Sequence, residues 1–84
     1  MTLTEEELQS WHRSSVSNRA TLETITRCGC FCCCKTFPVL DIDEWVEDRS
    51  GDTAICPRCS VDSVVASEDP SVLDQMHDRF FQPG

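Results

Sequence analysis

Two pairs of cysteines with identical spacing constrain the folding of this 84-residue chain more than any other feature. Cys30 and Cys33 form one C-x-x-C pair, and Cys56 and Cys59 form a second pair in the stretch ICPRCS. Two intervening residues let the backbone turn tightly, so that both sulfurs of a pair can reach one metal ion. Two such pairs, here called the first and second knuckle, provide the four thiolates that a closed structural Zn²⁺ site prefers. The spacing therefore predicts one structural zinc ion per chain.

A metal also suits the small size of the chain. A domain of this length buries only roughly 60–65% of its unfolded surface and usually needs a disulfide framework, a metal or a partner. The seven cysteines are an odd number, which argues against a closed set of disulfides. The acidic start MTLTEEELQSW lacks the features of a secretory leader, and no apolar run reaches the ~18–20 residues of a membrane span. We therefore expect a cytoplasmic protein whose thiols stay reduced.

Three further cysteines, Cys28, Cys32 and Cys34, lie beside the first knuckle. They can be small apolar side chains packed next to the site, which is common for free cysteine. One of them could instead be a reactive thiol whose pKa is lowered by Arg27 or Lys35. Cys28 or Cys34 could also replace a neighbouring ligand. The sequence leaves these three interpretations open.

Capping signals predict two helices before the first knuckle. Thr4 and Glu7 have the spacing of a capping box, in which each side chain accepts a hydrogen bond from the other residue's backbone N–H. A first helix is therefore expected over about 5–15, and a shorter second helix over 19–27. Residues 1–27 would thus form a helical N-terminal segment.

A short helix and two strands are expected around the second knuckle. Asp41 is a predicted N-cap for a two-turn helix over 42–48. Insertion of this helix would explain the 22 residues that separate the knuckles, slightly more than the usual spacing of about 15–20. Strands are predicted over 53–55 and 61–66, where β-branched residues are frequent.

The predicted fold class is a small α+β domain stapled by zinc, with zinc-ribbon-like knuckles and a short inserted helix. An Asp-Pro step predicts the start of a last helix over about 70–81. We expect a single domain over 1–84, with a four-cysteine zinc-binding core over 28–66 and a C-terminal helical segment over 67–84.

Several runs of the sequence together form a longer pattern: CGCFCC, an EW pair, CPRCSVDSV, and an Asn-Arg pair upstream. This pattern resembles a group of small bacterial zinc-ribbon-like cytoplasmic proteins. The matching positions are Asn18, Arg19, Cys28, Gly29, Cys30, Phe31, Cys33, Glu44, Trp45, Cys56, Pro57, Cys59, Asp62, Ser63 and Val64.

Two positions depart from that group, because Cys32 replaces an aromatic residue and Ser60 replaces a glycine. The glycine would tolerate a positive φ, so Ser60 is expected to strain the turn slightly without affecting the ligands. The resemblance supports the cysteines of the two knuckles as the metal ligands, and it implies no known activity.

The predicted metal shell argues against catalysis. A catalytic zinc keeps one coordination position open, whereas four cysteines close the shell. His12 and His77 lie on predicted helices and are expected to pack there, and Asp62 is expected to cap or bracket the turn of the second knuckle. The sequence contains no phosphate-binding loop, nucleophile elbow or HExxH motif. We therefore predict that the protein is not an enzyme.

Net charge separates the possible classes of partner. The formal net charge is −8, and four thiolates with one Zn²⁺ would change it to about −10. Phosphate contacts provide most nucleic-acid affinity, so an acidic chain starts from an unfavourable field. A basic belt nevertheless surrounds the first knuckle in the sequence. Its four cations are Arg13, Arg19, Arg27 and Lys35.

These observations predict a small zinc-binding protein that acts as a protein-interaction or regulatory module, with a protein as its partner and no membrane association. The first alternative is a nucleic-acid-associated accessory protein that uses Arg19, Arg27, Lys35 and Arg58. The second alternative is a thiol-based redox or metal-responsive protein that uses the spare cysteines.

Overall fold

The structure, a computed structural model, describes residues 2–48 and 50–81, where short helices surround two small antiparallel sheets. The helices are α1 (Glu5–Arg13), α2 (Arg19–Leu22) and α3 (Pro70–Phe80), with a 3-10 turn at Val39–Asp41. The strands are β1 (Arg27–Cys30), β2 (Thr36–Pro38), β3 (Trp45–Asp48), β4 (Gly51–Ala54) and β5 (Val64–Val65). One sheet has the order β2-β1-β5 and the other pairs β3 with β4. The predicted α+β class is therefore confirmed.

Helix α1 begins at the predicted capping box. The Thr4 hydroxyl accepts a hydrogen bond from the Glu7 backbone N–H at 3.1 Å, and the Thr4 N–H donates to the Glu7 carboxylate at 2.9 Å. The helix ends at Arg13, earlier than predicted. The hydroxyls of Ser14 and Ser15 donate to carbonyls of the last turn, and such local bonds compete with continuation of a helix.

None of the described helices is long and apolar enough to cross a membrane.

The second predicted helix is a single turn. Helix α2 covers Arg19–Leu22 instead of 19–27, because the chain must become extended before β1 begins at Arg27. The side chain of Leu22 is fully buried and anchors this turn in the core.

The helix predicted over 42–48 is wrong, because this part of the chain is extended. Ile42 has φ −74° and ψ 114°, and β3 follows at Trp45–Asp48. Strand β3 pairs with β4 in a register that places Trp45 opposite Ala54. A two-turn helix is marginal in water, whereas tryptophan and valine favour strands and the neighbouring strand satisfies their backbone groups. Asp41 consequently caps no helix, and its carboxylate accepts a hydrogen bond from an arginine instead.

The two predicted strands and the last predicted helix form where they are expected, with shifted ends, whereas strands β1 and β2 are not predicted from the sequence. Strand β4 covers Gly51–Ala54 instead of 53–55. Strand β5 is limited to Val64–Val65, because the residues before it complete the second knuckle. Helix α3 begins at the predicted Asp-Pro step, where the Asp69 carboxylate accepts from the Ser71 N–H at 2.9 Å.

Strand β5 separates two groups of buried side chains. Consecutive side chains of a strand point to opposite faces, so Val64 packs in one group and Val65 in the other. The first group contains Leu22, Cys28, Cys30, Phe37, Val39, Ile42, Ala54, Cys56 and Val64. The second contains Phe31, Val65, Leu73 and Met76 and lies under α3. The buried cysteines of both knuckles therefore belong to the first group.

Helix α3 packs so closely on β1 that only glycine fits at position 29. A Cβ atom at Gly29 would lie 2.6 Å from the Ser67 carbonyl oxygen and 2.8 Å from Cδ1 of Leu73. The backbone of β1 is thereby fixed one residue before Cys30, the first cysteine of the first knuckle.

The buried side chain of Asn18 joins the two sheets. Its Nδ2 donates to the Val64 carbonyl at 2.8 Å, and its Oδ1 accepts from the Ala54 N–H at 3.1 Å. The neighbouring Arg19 places its guanidinium 4.8 Å from the ring centre of Trp45. The Asn-Arg pair noted in the sequence therefore connects the β3–β4 sheet to the sheet that carries the first knuckle.

Candidate metal centre

The four cysteines of the two knuckles converge on one point. The sulfur atoms of Cys30, Cys33, Cys56 and Cys59 all lie within 4.8 Å of one another. Cys30 Sγ is 3.6 Å from Cys59 Sγ, and Cys33 Sγ is 3.8 Å from Cys56 Sγ. In a tetrahedral site with Zn–S bonds of ≈ 2.3 Å, adjacent sulfurs are about 3.8 Å apart. These four side chains therefore fit a metal ion, and the sequence identifies the same four.

The two knuckles have matching backbone hydrogen bonds. Cys30 N–H donates to the Lys35 carbonyl at 3.0 Å, and Cys56 N–H donates to the Val61 carbonyl at 3.0 Å, five residues ahead in each case. The residue two positions after each of these cysteines donates its N–H to that cysteine's sulfur at 3.3 Å. The two C-x-x-C segments thus form the same turn twice.

Each knuckle is followed by a residue with left-handed backbone geometry. Cys34 has φ 58° and Ser60 has φ 65°. This geometry confirms the expectation that Ser60 occupies a position suited to glycine. For a residue with a Cβ it costs roughly 1–2 kcal/mol, so both turns carry some strain.

Burial raises the pKa of three of the four thiols in the site. The pKa of Cys30 is raised to about 11 and that of Cys59 to about 12, and the pKa of Cys33 is also above its ordinary value, chiefly because of desolvation. Cys56 differs. Burial also acts to raise its pKa, but hydrogen bonds from the backbone N–H groups of Arg58 and Cys59 hold the pKa of Cys56 below its ordinary value. Metal binding must therefore displace protons from at least three sulfurs.

One of the four sulfurs has a hydroxyl neighbour. Ser63 Oγ lies 2.9 Å from Cys30 Sγ, and the Ser63 side chain is almost completely buried. Within residues 2–48 and 50–81, none of the other three sulfurs of the group has such a contact. The sequence analysis assigns Ser63 no role, although the DSV run after the second knuckle includes it.

The three spare cysteines lie outside the group of four sulfurs. Cys28 is fully buried, and desolvation raises its pKa to about 12. Cys34 is exposed, yet its pKa is raised by partial burial and by the carboxylates of Asp74 and Asp78. The interpretation of a reactive thiol with a lowered pKa is therefore wrong for Cys28 and for Cys34. Cys32 is half-buried against the first core group, as expected for a small apolar side chain.

The two histidines pack around Phe31, away from the group of four sulfurs. His77 Nδ1 donates to the Phe31 carbonyl at 3.1 Å, because a carbonyl oxygen can only accept. The ring of His12 lies 4.4 Å from that of Phe80, centre to centre. Both positions agree with the predicted helix-packing role. Asp62 is exposed and makes no side-chain hydrogen bond with the described part of the chain, so it does not bracket the turn.

Carboxylates neutralise most of the cations that were considered for nucleic-acid binding. The ion pairs, with distances between 2.7 and 3.2 Å, are Arg19 with Glu23 and Asp52, Arg27 with Glu68, and Arg58 with Asp41. Such exposed pairs add little to stability, but they place a negative charge beside each arginine. Of the belt, Arg13 and Lys35 make no ion pair with the described residues.

Comparison with models of known protein families, with curated proteins and with solved structures finds no match to this chain. The function of the site is therefore inferred from its own geometry.

Proposed function

We propose that this protein binds one structural Zn²⁺ per chain through Cys30, Cys33, Cys56 and Cys59, and that it acts as a protein-interaction or regulatory module. The convergence of these four sulfurs within 4.8 Å carries the proposal. Four thiolates at tetrahedral spacing are the ligand set that Zn²⁺ prefers in structural sites. A complete sulfur shell leaves no position for a water nucleophile, which supports a structural ion and a protein that is not an enzyme.

The matched turns support a zinc-ribbon-like arrangement, as the resemblance in the sequence implies. The first knuckle is the turn between β1 and β2, and the second lies between β4 and β5. Zinc would therefore join two parts of the chain that are connected through a separate pair of strands.

Charge supports a protein partner over a nucleic acid. The chain has a formal net charge of −8, and Arg19 and Arg27 of the basic belt are paired with carboxylates. We expect affinity for random duplex DNA weaker than the usual nonspecific range of about 10⁻⁴–10⁻⁶ M at physiological salt. Tight binding with a steep salt dependence that Arg19→Glu and Arg27→Glu abolish would instead support the nucleic-acid alternative.

The metal assignment is tested by elemental analysis of the purified protein and by Co²⁺ substitution, since tetrahedral Co²⁺ with thiolate ligands gives sulfur-to-cobalt charge-transfer absorption. We expect one zinc per chain, lost in each single cysteine-to-serine variant of the two knuckles. Cys32→Ala is the matched control and should keep the metal. If Cys32→Ala loses the metal while Cys33→Ala keeps it, the ligand assignment is wrong.

A further inference from the structure

An apolar groove lies on the surface beside the 3-10 turn. Its volume is about 550 Å³, within the range of ≈ 300–1,000 Å³ that is typical of binding pockets. The apolar side chains that line it are Ile25, Val39, Leu40, Ile42 and Trp45. The groove is open to solvent and far larger than one side chain requires.

Leu40 stands at this groove with its side chain almost fully in water. Its exposed fraction is 95%, whereas the next most exposed large apolar side chain of the described residues, Val46, is exposed by 49%. The backbone around Leu40 is anchored, because Val39 and Ile42 are buried on either side of it. Burying such a side chain is favourable, so a leucine held outward beside an apolar groove is suited to a partner.

The surroundings of the groove are negatively charged. Residues 40–47 include four acidic residues and no basic residue, and one of the four, Asp41, is paired with Arg58. Asp43 and Glu44 are exposed and make no ion pair with the described residues. The one cation in the lining, Arg19, lies over Trp45 and is already paired with two carboxylates. The one carboxylate in the lining, Glu23, is a partner of Arg19. The uncompensated negative charge beside the groove therefore comes from Asp43 and Glu44, which lie in the chain between two lining residues.

We propose that this groove docks a cationic segment of a partner protein, in which lysine or arginine residues flank a large apolar side chain. The apolar side chain covers Leu40 and enters the groove, and the cations face Asp43 and Glu44. A second copy of this chain is disfavoured, since two acidic rims would repel each other. The inference rests on the proposed function, because it specifies the partner of the same interaction module.

Two synthetic peptides of about 12 residues test this proposal. They share the same leucine positions, and the intervening positions are lysine in one peptide and glutamate in the other. Each peptide is titrated into ¹⁵N-labelled zinc-loaded protein, and the amide shifts are followed by NMR. We expect the lysine peptide to shift amides at Ile25 and over 40–45, and the glutamate peptide to leave them unchanged.

Leu40→Asp separates groove docking from simple ionic attraction. The added carboxylate would strengthen a purely ionic contact, whereas loss of the apolar anchor should weaken docking about tenfold or more. The double variant Asp43→Lys/Glu44→Lys should also weaken it. The matched control Glu6→Lys/Asp74→Lys makes the same charge change elsewhere and should leave the affinity within about twofold.

Two outcomes would overturn the docking proposal. One is an affinity for the lysine peptide that Leu40→Asp leaves unchanged or increases. The other is self-association of the protein that Leu40→Asp abolishes, which would make a second copy the occupant. Zinc content is measured on the same samples. If protein with one zinc per chain does not bind the lysine peptide, the docking surface alone is rejected. If protein without zinc binds the peptide normally, the metal assignment alone is rejected.

Discussion

The first knuckle is held by a β-sheet more extensively than the second knuckle is. Cys30 is the last residue of β1, which is paired with β2 on one side and β5 on the other. Cys56 lies beyond the end of β4, and the turn that follows it is paired with no strand of the described chain. Both turns nevertheless share the bond from the first cysteine's N–H to the carbonyl five residues ahead, and the second turn adds a bond from the Ser60 N–H to the Cys56 carbonyl at 2.9 Å. A C-x-x-C turn is thus formed by its local sequence, and the fold decides only what surrounds it.

The surroundings also give the two knuckles different chemistry. At the first knuckle the Cys30 sulfur has a hydroxyl neighbour, Ser63, that comes from outside the turn. At the second knuckle, backbone N–H groups of the same turn lower the pKa of Cys56. Cys30 Sγ also accepts a backbone N–H bond of its own turn, from Cys32. The two knuckles therefore share their backbone contacts to sulfur, and the first has in addition a hydroxyl from a distant residue.

The largest expected effect is the loss of cooperative folding when zinc is removed. Structural zinc contributes roughly 10–16 kcal/mol of apparent binding free energy near neutral pH, whereas a small domain has a net stability of only about 5–10 kcal/mol. A strong chelator should therefore abolish the cooperative thermal transition measured by circular dichroism while part of the helical signal remains. Cys33→Ser and Cys59→Ser, one from each knuckle, should have the same effect. If the chelated protein still melts cooperatively near the same temperature, the apolar core and not the metal holds the fold.

The second prediction concerns protons released when zinc binds. The raised pKa values of Cys30, Cys33 and Cys59 keep these thiols protonated at neutral pH, and zinc binds the thiolates, so at least three protons leave per ion. The free energy contributed by zinc is therefore present at higher pH and lost as the pH falls, with affinity changing about 1,000-fold per pH unit near neutrality.

Isothermal titration calorimetry in buffers of different ionisation enthalpy measures this release. The first knuckle should release two protons and the second between one and two, because the pKa of Cys56 is lowered. A total release of fewer than three protons would show that at least one of the thiols of Cys30, Cys33 and Cys59 is already ionised before zinc binds.

A third, smaller effect should distinguish the two knuckles directly. Removing a hydrogen-bond partner of a metal ligand typically costs 10–100-fold in metal affinity. We expect Ser63→Ala to weaken zinc binding by about this factor while the content remains one zinc per chain, as measured by competition with a chelator of known affinity. Ser60→Ala removes the same atom beside the second knuckle and should change the affinity little. Equal effects of the two variants would contradict a specific role for Ser63.

The smallest predicted effect is shared by both knuckles. Glycine at position 34 or 60 would relieve left-handed geometry that costs roughly 1–2 kcal/mol, but it would also increase the entropy of the unfolded chain by roughly 0.4–1 kcal/mol. Cys34→Gly and Ser60→Gly should each stabilise the zinc-loaded protein by about 0.5–1 kcal/mol in urea unfolding. A loss of stability in Cys34→Gly alone would indicate that the Cys34 sulfur, 3.9 Å from the Leu73 carbonyl, contributes to packing.

The candidate site could be predicted from the sequence because each knuckle is local. Two cysteines three positions apart determine their own turn, and the capping box of Thr4 and Glu7 is local in the same way. The error at 42–48 arises where two local signals conflict. Asp41 is a plausible helix cap, which favours a helix. The Ser-Gly pair at 50–51 between β-prone runs instead favours a hairpin. Only the pairing of β3 with β4 decides between a helix and a strand here.

The features that sequence analysis missed depend on residues far apart in the chain. Ser63 and Cys30 are 33 positions apart, and the carboxylate partners of Arg19 and Arg27 include residues 33 and 41 positions away. No period or spacing in the sequence relates such residues. The sequence alone therefore does not reveal the carboxylate partners of the basic belt, although most of its arginines are paired in the fold.

Asn18 has a consequence for how the second knuckle is assembled. Its two hydrogen bonds hold Ala54 and Val64 together, and these residues flank the nine-residue segment 55–63 that contains Cys56 and Cys59. Closing a loop of this length costs conformational entropy of about 2 kcal/mol. The two hydrogen bonds of the Asn18 amide offset part of this entropy cost, because they hold the two ends of the loop together. A bound ion would therefore have to order only the tip, so we expect this buried amide to affect metal affinity without contacting the metal.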